Sequence, residues 1–103
     1  MSKTHFEHYY AVIFTSTLSK NTEGYDKMAA QIESLAQIQS GFLGFDSARD
    51  YLGISISYWK TLEDIKKWKD NSEHLLAQQK GKEKWYDWYN VKICKVEREY
   101  SSE

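Results

Sequence analysis

FLGFDSARDYLGISISYWKTLEDIKKW, residues 42–68, decides the fold. Phe42 to Arg49 reads as a strand, and Asp50 with its neighbours makes a tight turn. Leu52 to Lys60 reads as a further strand, in which Ile54, Ile56 and Tyr58 alternate with Ser55, Ser57 and Trp59. Two strands joined so closely form a hairpin. Thr61 then caps a helix that carries Leu62, Ile65 and Trp68, with Asp64 at the third helical position as in a capping box.

On the N-terminal side, His8 to Thr17 (HYYAVIFTST) is β-branched and aromatic, with apolar side chains on both faces of the predicted strand. Ser19, Lys20 and Asn21 break it, and Asn21 or Thr22 can cap the helix that follows. In that helix Tyr25, Met28, Ala29, Ile32, Leu35 and Ala36 keep the apolar spacing, while Asp26, Lys27, Gln31 and Glu33 take the far side. Ser40 and Gly41 end it.

On the C-terminal side, Asn71 and Ser72 interrupt the second helix. A new helical stretch then runs through Leu75, Leu76 and Gln79 and ends near Gly81. From Tyr86 or Trp88 to Tyr100 the chain is again extended, with Val91, Ile93, Cys94 and Val96 among its apolar residues. The order β-α-β-β-α-β is the ferredoxin-like arrangement of an α+β domain, a four-stranded antiparallel sheet with helices on one face. Met1 to Glu7 reads as a loose lead-in and residues 8–100 as the single domain. The first and last strands are apolar on both faces, and a second copy packing sheet against sheet would cover the face that the helices leave open. A homodimer through the sheet face is therefore expected.

Composition narrows the function classes. A chain of 103 residues holds one domain, and it buries roughly 65% of its unfolded surface, so packing against a partner would help. Aromatic residues make up 16% of the chain, more than a core this small needs, and the surplus must line a cavity or an interface. A net charge of −1 argues against nucleic acid as the main ligand. The lysines at 66, 67, 69, 80, 82 and 84 are interleaved with acidic residues and read as a solvated helical face. Cys94, the one cysteine, excludes an internal disulfide and reads as a buried thiol. No stretch approaches the roughly 20 apolar residues that span a bilayer, and no signal peptide precedes the fold, so no membrane association and a cytoplasmic location are expected.

The element order resembles the antibiotic-biosynthesis-monooxygenase family. The resemblance is carried by SYWKTLEDIKKW at Ser57 to Trp68, HLLAQQKGKEKWY at His74 to Tyr86, the Tyr25 helix after the first strand, and Gly41–Phe42 before the second. It covers about nine-tenths of the chain. It implies a dimeric α/β barrel with two sheets back to back, each subunit holding a ligand cavity between its sheet and its helices. Relatives include cofactor-free oxygenases of polycyclic phenols, haem-degrading enzymes and quinol oxygenases, and many members have no assigned reaction; the fold does not choose among these. The haem-degrading branch resembles a pattern of Asn in the first strand, Trp in the second helix and a haem-ligating His some three turns later. Trp68 matches the Trp, Gln78 stands at the His position, and the Asn position falls at Phe14 or Thr15. An amide ligates ferric haem poorly, so haem degradation of that pattern is not expected, although His74, one turn earlier, offers an imidazole.

The cofactor-free branch of the resemblance implies a reaction in which a phenol or hydroquinone loses a proton and its anion passes an electron to O₂. The protein then needs an apolar pocket, a proton acceptor and groups that hold the anion. His74, the only histidine beyond the first residue of the domain, is the general-base candidate; it also reads as an ordinary polar residue in the first turn of a helix. Trp68, Trp59, Gln78 and Phe14 are the substrate-binding candidates, and the tryptophans fit core packing as well as stacking on a flat ligand. Tyr9, Tyr10, Tyr58, Tyr86 and Tyr89 can point hydroxyls into a cavity, but a strand that is apolar on both sides does not reveal its facing. His5 and His8 lack a third ligand, so no metal and no cofactor are expected. A monooxygenase of a small aromatic and a non-catalytic binding module for an apolar ligand both remain open.

Overall fold

The computed structural model describes residues 8–79 and 85–102, without the side chains of 76–79; the lead-in expected over residues 1–7 and the helix end expected near Gly81 lie outside these. The elements are β1 (Tyr9–Leu18), α1 (Tyr25–Gln37), β2 (Phe42–Arg49), β3 (Gly53–Trp59), α2 (Leu62–Gln79) and β4 (Tyr86–Val96). All strand pairs are antiparallel, and the sheet order is β2-β3-β1-β4, the ferredoxin-like topology. None of the described helices is long and apolar enough to cross a membrane.

The register sorts the side chains between the two faces. Tyr10, Val12, Phe14 and Ser16 of β1 lie opposite Trp59, Ser57, Ser55 and Gly53 of β3, which puts all eight on one face. Both helices cover this face. Its buried centre is Ala36 of α1, Trp59 of β3, and Ile65 and Trp68 of α2, with Tyr10, Val12, Ile32, Leu35 and Phe42 packed around it. The opposite face carries Ile13, Ile54, Ile56 and Tyr58 beside Cys94 and Trp88, and no described helix covers it. Trp88 is 49% exposed and Ile54 40%. Cys94, expected to be buried, is only half-buried there.

Three local expectations are corrected. Asn21 and Thr22 do not cap α1; its N-cap is Gly24 at φ 85°. Asn21 instead turns the chain by accepting the Glu23 N–H on its side chain at 3.4 Å, a short polar side chain competing for the backbone. Asn71 and Ser72 do not interrupt α2, which runs unbroken for 18 residues. Asn71 satisfies its amide on α1, with Nδ2 donating to Gln39 Oε1 at 2.9 Å, and the Ser72 hydroxyl donates back to the Lys69 carbonyl at 3.1 Å. Finally, β4 stops at Val96 rather than Tyr100. Val96 pairs with Tyr9, the first residue of β1, so no partner strand continues beyond it. Past that point Glu99 accepts a 2.6 Å hydrogen bond from the Tyr9 hydroxyl, and this bond, ahead of partial burial, pushes the Tyr9 phenol up to about 12.

The expected cap of α2 is present. The Asp64 N–H donates to Thr61 Oγ1 at 3.0 Å, and that hydroxyl donates to Asp64 Oδ2 at 2.8 Å. Gly41, at φ 83°, lies beneath the Asp64 carboxylate, where an added methyl group would collide with it. Gly24 has the same backbone sign, but its nearest neighbour, a Trp85 ring carbon, sits at the ordinary distance of 3.4 Å. Gly24→Ala should cost only the left-handed penalty, about 1–2 kcal/mol. Gly41→Ala should cost that plus the cap, about 2–4 kcal/mol together. Urea denaturation of the two variants checks this ordering, and equal losses would contradict it.

Candidate functional site

A cavity of about 810 Å³ lies between the helix-covered face and the helices. That is within the ~300–1,000 Å³ of small-molecule sites. Val12, Phe14 and Ser55 form part of its floor, Tyr25, Met28 and Ile32 its α1 wall, and Ile65 and Trp68 its α2 wall. The carboxylates of Asp26, Glu33 and Glu73 and the ammonium of Lys69 also line it.

Rings hold the space open from both ends. Trp59 is fully buried and stacks on Trp68, with centroids 5.6 Å apart and planes at 25°, while Phe42 meets its edge at 5.5 Å. The Trp59 indole N–H donates to Ser57 Oγ at 2.8 Å, so the buried donor is satisfied on its own strand. At the other end Trp85, just before β4, donates its indole N–H to the Glu23 carbonyl at 2.7 Å. Its own carbonyl accepts the Ser19 N–H, also at 2.7 Å. These two bonds pin the β1–α1 loop to the start of β4.

Beside Trp85 the cavity is aromatic and polar at once. Phe14 stacks on Tyr89 (5.6 Å, 25°) and meets Tyr86 edge-on (5.3 Å, 70°), and Tyr86 meets Tyr25 edge-on at 6.0 Å. Burial above all, with the hydrogen bond shared with Tyr25, holds the Tyr86 phenol well above its ordinary range, against a weaker downward pull from Arg49. Tyr86 is therefore a neutral hydroxyl at physiological pH. The Arg49 guanidinium lies 5.6 Å from the centre of the Tyr25 ring. Its Nη1 donates to the Ser16 carbonyl at 3.3 Å and its Nη2 to Ser16 Oγ. Among the described residues, no three or more His, Cys, Asp or Glu come together as a metal site.

The residues proposed from sequence fare differently. Trp68 and Phe14 line the cavity. Trp59 does not; it is core, backing Trp68 from the sheet side. The side chain of Gln78 lies outside the described residues. His74, the expected base, is not in a first helical turn but in the interior of α2, where it is exposed and absent from the cavity lining. Successive helical residues point about 100° apart, so the wall formed by Ser72 and Glu73 turns away before His74. Sequence reading missed Arg49 and Ser16. The available signal was Gly53, an isolated glycine in a strand pattern, which marks a close approach by another group.

Comparison with known proteins fits this geometry. No family model matches the chain. The fold is shared with PA3566 from Pseudomonas aeruginosa, at TM-score 0.69 and 22% identity over 94% of this chain and 100% of that one. A provisionally assigned antibiotic biosynthesis monooxygenase from Nitrosomonas europaea aligns at TM-score 0.67 and 15% identity, covering 90% of this chain and 93% of the other. A variant of SnoaB, a cofactor-independent oxygenase from Streptomyces nogalater, aligns at 0.69 and 12% identity, covering 94% and 99%. In sequence, YqjZ from Bacillus subtilis, an uncharacterized protein, is 45% identical over 101 residues, which span 96% of this chain and 89% of that protein. The chain thus carries the antibiotic-biosynthesis-monooxygenase fold, and it belongs to the same family as YqjZ.

Proposed function

We propose that the chain is a cofactor-independent monooxygenase of a small phenol- or quinol-type aromatic, working as a homodimer paired through the open sheet face. The observation that carries this reading is the aromatic-lined cavity of about 810 Å³, apolar along most of its wall and polar at the Tyr25–Tyr86 end. The fold shared with SnoaB, a cofactor-independent oxygenase, supports the class of chemistry.

The reaction asks little of the protein. The substrate phenol loses its proton, and the phenolate gives one electron to O₂. Phenoxyl and superoxide join at a ring carbon. The resulting peroxide anion takes up a proton to become a hydroperoxide, which then loses the ring proton and hydroxide, together water. One oxygen atom stays on the ring, the other leaves as water, and the substrate supplies every electron. The walls need only exclude water, hold the ring and stabilise the phenolate.

A second reading is a binding module that holds an apolar ligand without turnover, and one observation favours it: no described histidine lines the cavity. Oxygen uptake with a panel of hydroquinones and anthrones separates the two. Turnover should consume one O₂ per substrate, and Ser55→Trp, which places a ring in the cavity floor, should lower it at least about tenfold, with an overpacking cost of about 1–3 kcal/mol. Tight binding of the same compounds without uptake would favour the module.

With His74 outside the wall, His74→Gln should leave the rate and its pH profile within about twofold of the parent. A loss of about 10²-fold with a flattened rising limb, in a folded variant, would restore His74 as the base.

Pairing should place Ile13 and Ile56, direct cross-strand partners on the open face, at the interface. Light scattering should give twice the 12.2 kDa chain mass. Ile56→Asp should shift the equilibrium toward the single chain, and a parent protein at the single-chain mass at all concentrations would exclude the dimer.

A further inference from the structure

We propose that the Arg49 end of the cavity is an oxyanion site, so that the ligand taken up is an aromatic anion, a carboxylate or an ionised phenol, rather than a neutral ring. This deepens the small-aromatic reading above and rests on it.

A row of residues crosses the sheet at this end of the cavity. Arg49 of β2 pairs with Gly53 of β3, and Gly53 pairs with Ser16 of β1. The Arg49 side chain crosses over Gly53 to reach Ser16, and a Cβ on Gly53 would collide with the guanidinium. Gly53 is thus the space through which a cation from the edge strand enters the cavity wall. Ser16 is fully buried and fixes the guanidinium through both its carbonyl and its hydroxyl. The face of Tyr25 supports it from the α1 side.

Fixing the group leaves its charge unanswered. A guanidinium has five N–H donors in a planar fork. Two go to Ser16, and both of these acceptors are neutral. Among the described residues no carboxylate pairs with Arg49, although Asp26, Glu33 and Glu73 line the same cavity. Arg49 is solvent-exposed, so the donors not used by Ser16 are open to a ligand that enters beside the apolar wall, and the planar fork suits a planar oxyanion better than an ammonium would. Phe14 and Tyr89, stacked on one another, offer ring faces at the same end, and Tyr25 and Tyr86 add polar groups. The ligand is therefore one whose aromatic body and oxyanion are close together. A purely structural Arg49, tying β2 to β1 across β3, would leave the affinity for charged and neutral ligands alike.

The test is a calorimetric titration of the parent with 2-naphthoate and its neutral near-isostere 2-naphthamide at pH 7.5, and with 4-nitrophenol above and below its own pKa. Naphthoate should bind at least about tenfold more tightly than naphthamide, the scale of a charge-assisted hydrogen bond. Nitrophenol should bind more tightly when ionised if phenols are accepted; tight naphthoate with no such gain assigns the site to carboxylates. Arg49→Gln should remove the preference and leave naphthamide within about twofold. Gly53→Ala keeps the charge but displaces it, and should also erase the preference. Arg49→Lys serves if Arg49→Gln fails to fold, keeping the charge and losing the fork and most of the discrimination. Equal binding of naphthoate and naphthamide by the parent overturns the oxyanion site while leaving the aromatic cavity intact. Proportional loss of both ligands in Arg49→Gln assigns Arg49 to structure alone. Binding of no probe at all sinks the cavity reading together with the site.

Discussion

The stack of Trp59 on Trp68 is the strut on which this molecule is built. A helix laid directly on a sheet closes the space between them with aliphatic side chains. Here a ring from the sheet meets a ring from α2, and Ala36 of α1 fits beside them with no exposed surface. Trp85 anchors the other end through the Glu23 carbonyl. Between two such supports the helices stand away from the floor, and the cavity is the space that results. The high aromatic content thus has two uses in one architecture: large rings set the separation, and further rings line what the separation encloses.

Two helices cover one face of the sheet over β2, β3 and β1, while on the same face of β4 Tyr89, Val91 and Ile93 stay 41–51% exposed. The other face exposes Ile54 and Trp88 and keeps Ile13, Ile56 and Tyr58 only half-buried. This division follows from the register, because each residue of β1 from Tyr10 to Ser16 shares its face with one residue each of β3 and β4. Phe14 therefore lies on the cavity side of β1 and Ile13 on its open side.

Most of the fold is legible in the sequence. Element order, the hairpin, the β2 limits and the Thr61–Asp64 cap all follow from alternation, turn chemistry and capping. Where the reading failed, tertiary contacts decided. Asn71 and Ser72 look like helix breakers until Gln39 is seen to satisfy Asn71. The site was less legible, for a physical reason: strands apolar on both sides hide their facing, and a helix wall ends within one residue. His74 and Glu73 are neighbours in sequence, and only Glu73 reaches the cavity. Arg49 carried no sign at its own position; its role is written four residues later, in the missing side chain of Gly53.

Arg49 and Gly53 lie on either side of one hairpin turn and act as a single unit, since the guanidinium occupies the volume that any other residue at 53 would fill. The dependence runs one way. A side chain placed at 53 displaces the guanidinium from Ser16, whereas a shorter residue at 49 only leaves the space above Gly53 empty. The glycine serves the arginine, and the arginine is not needed by the glycine.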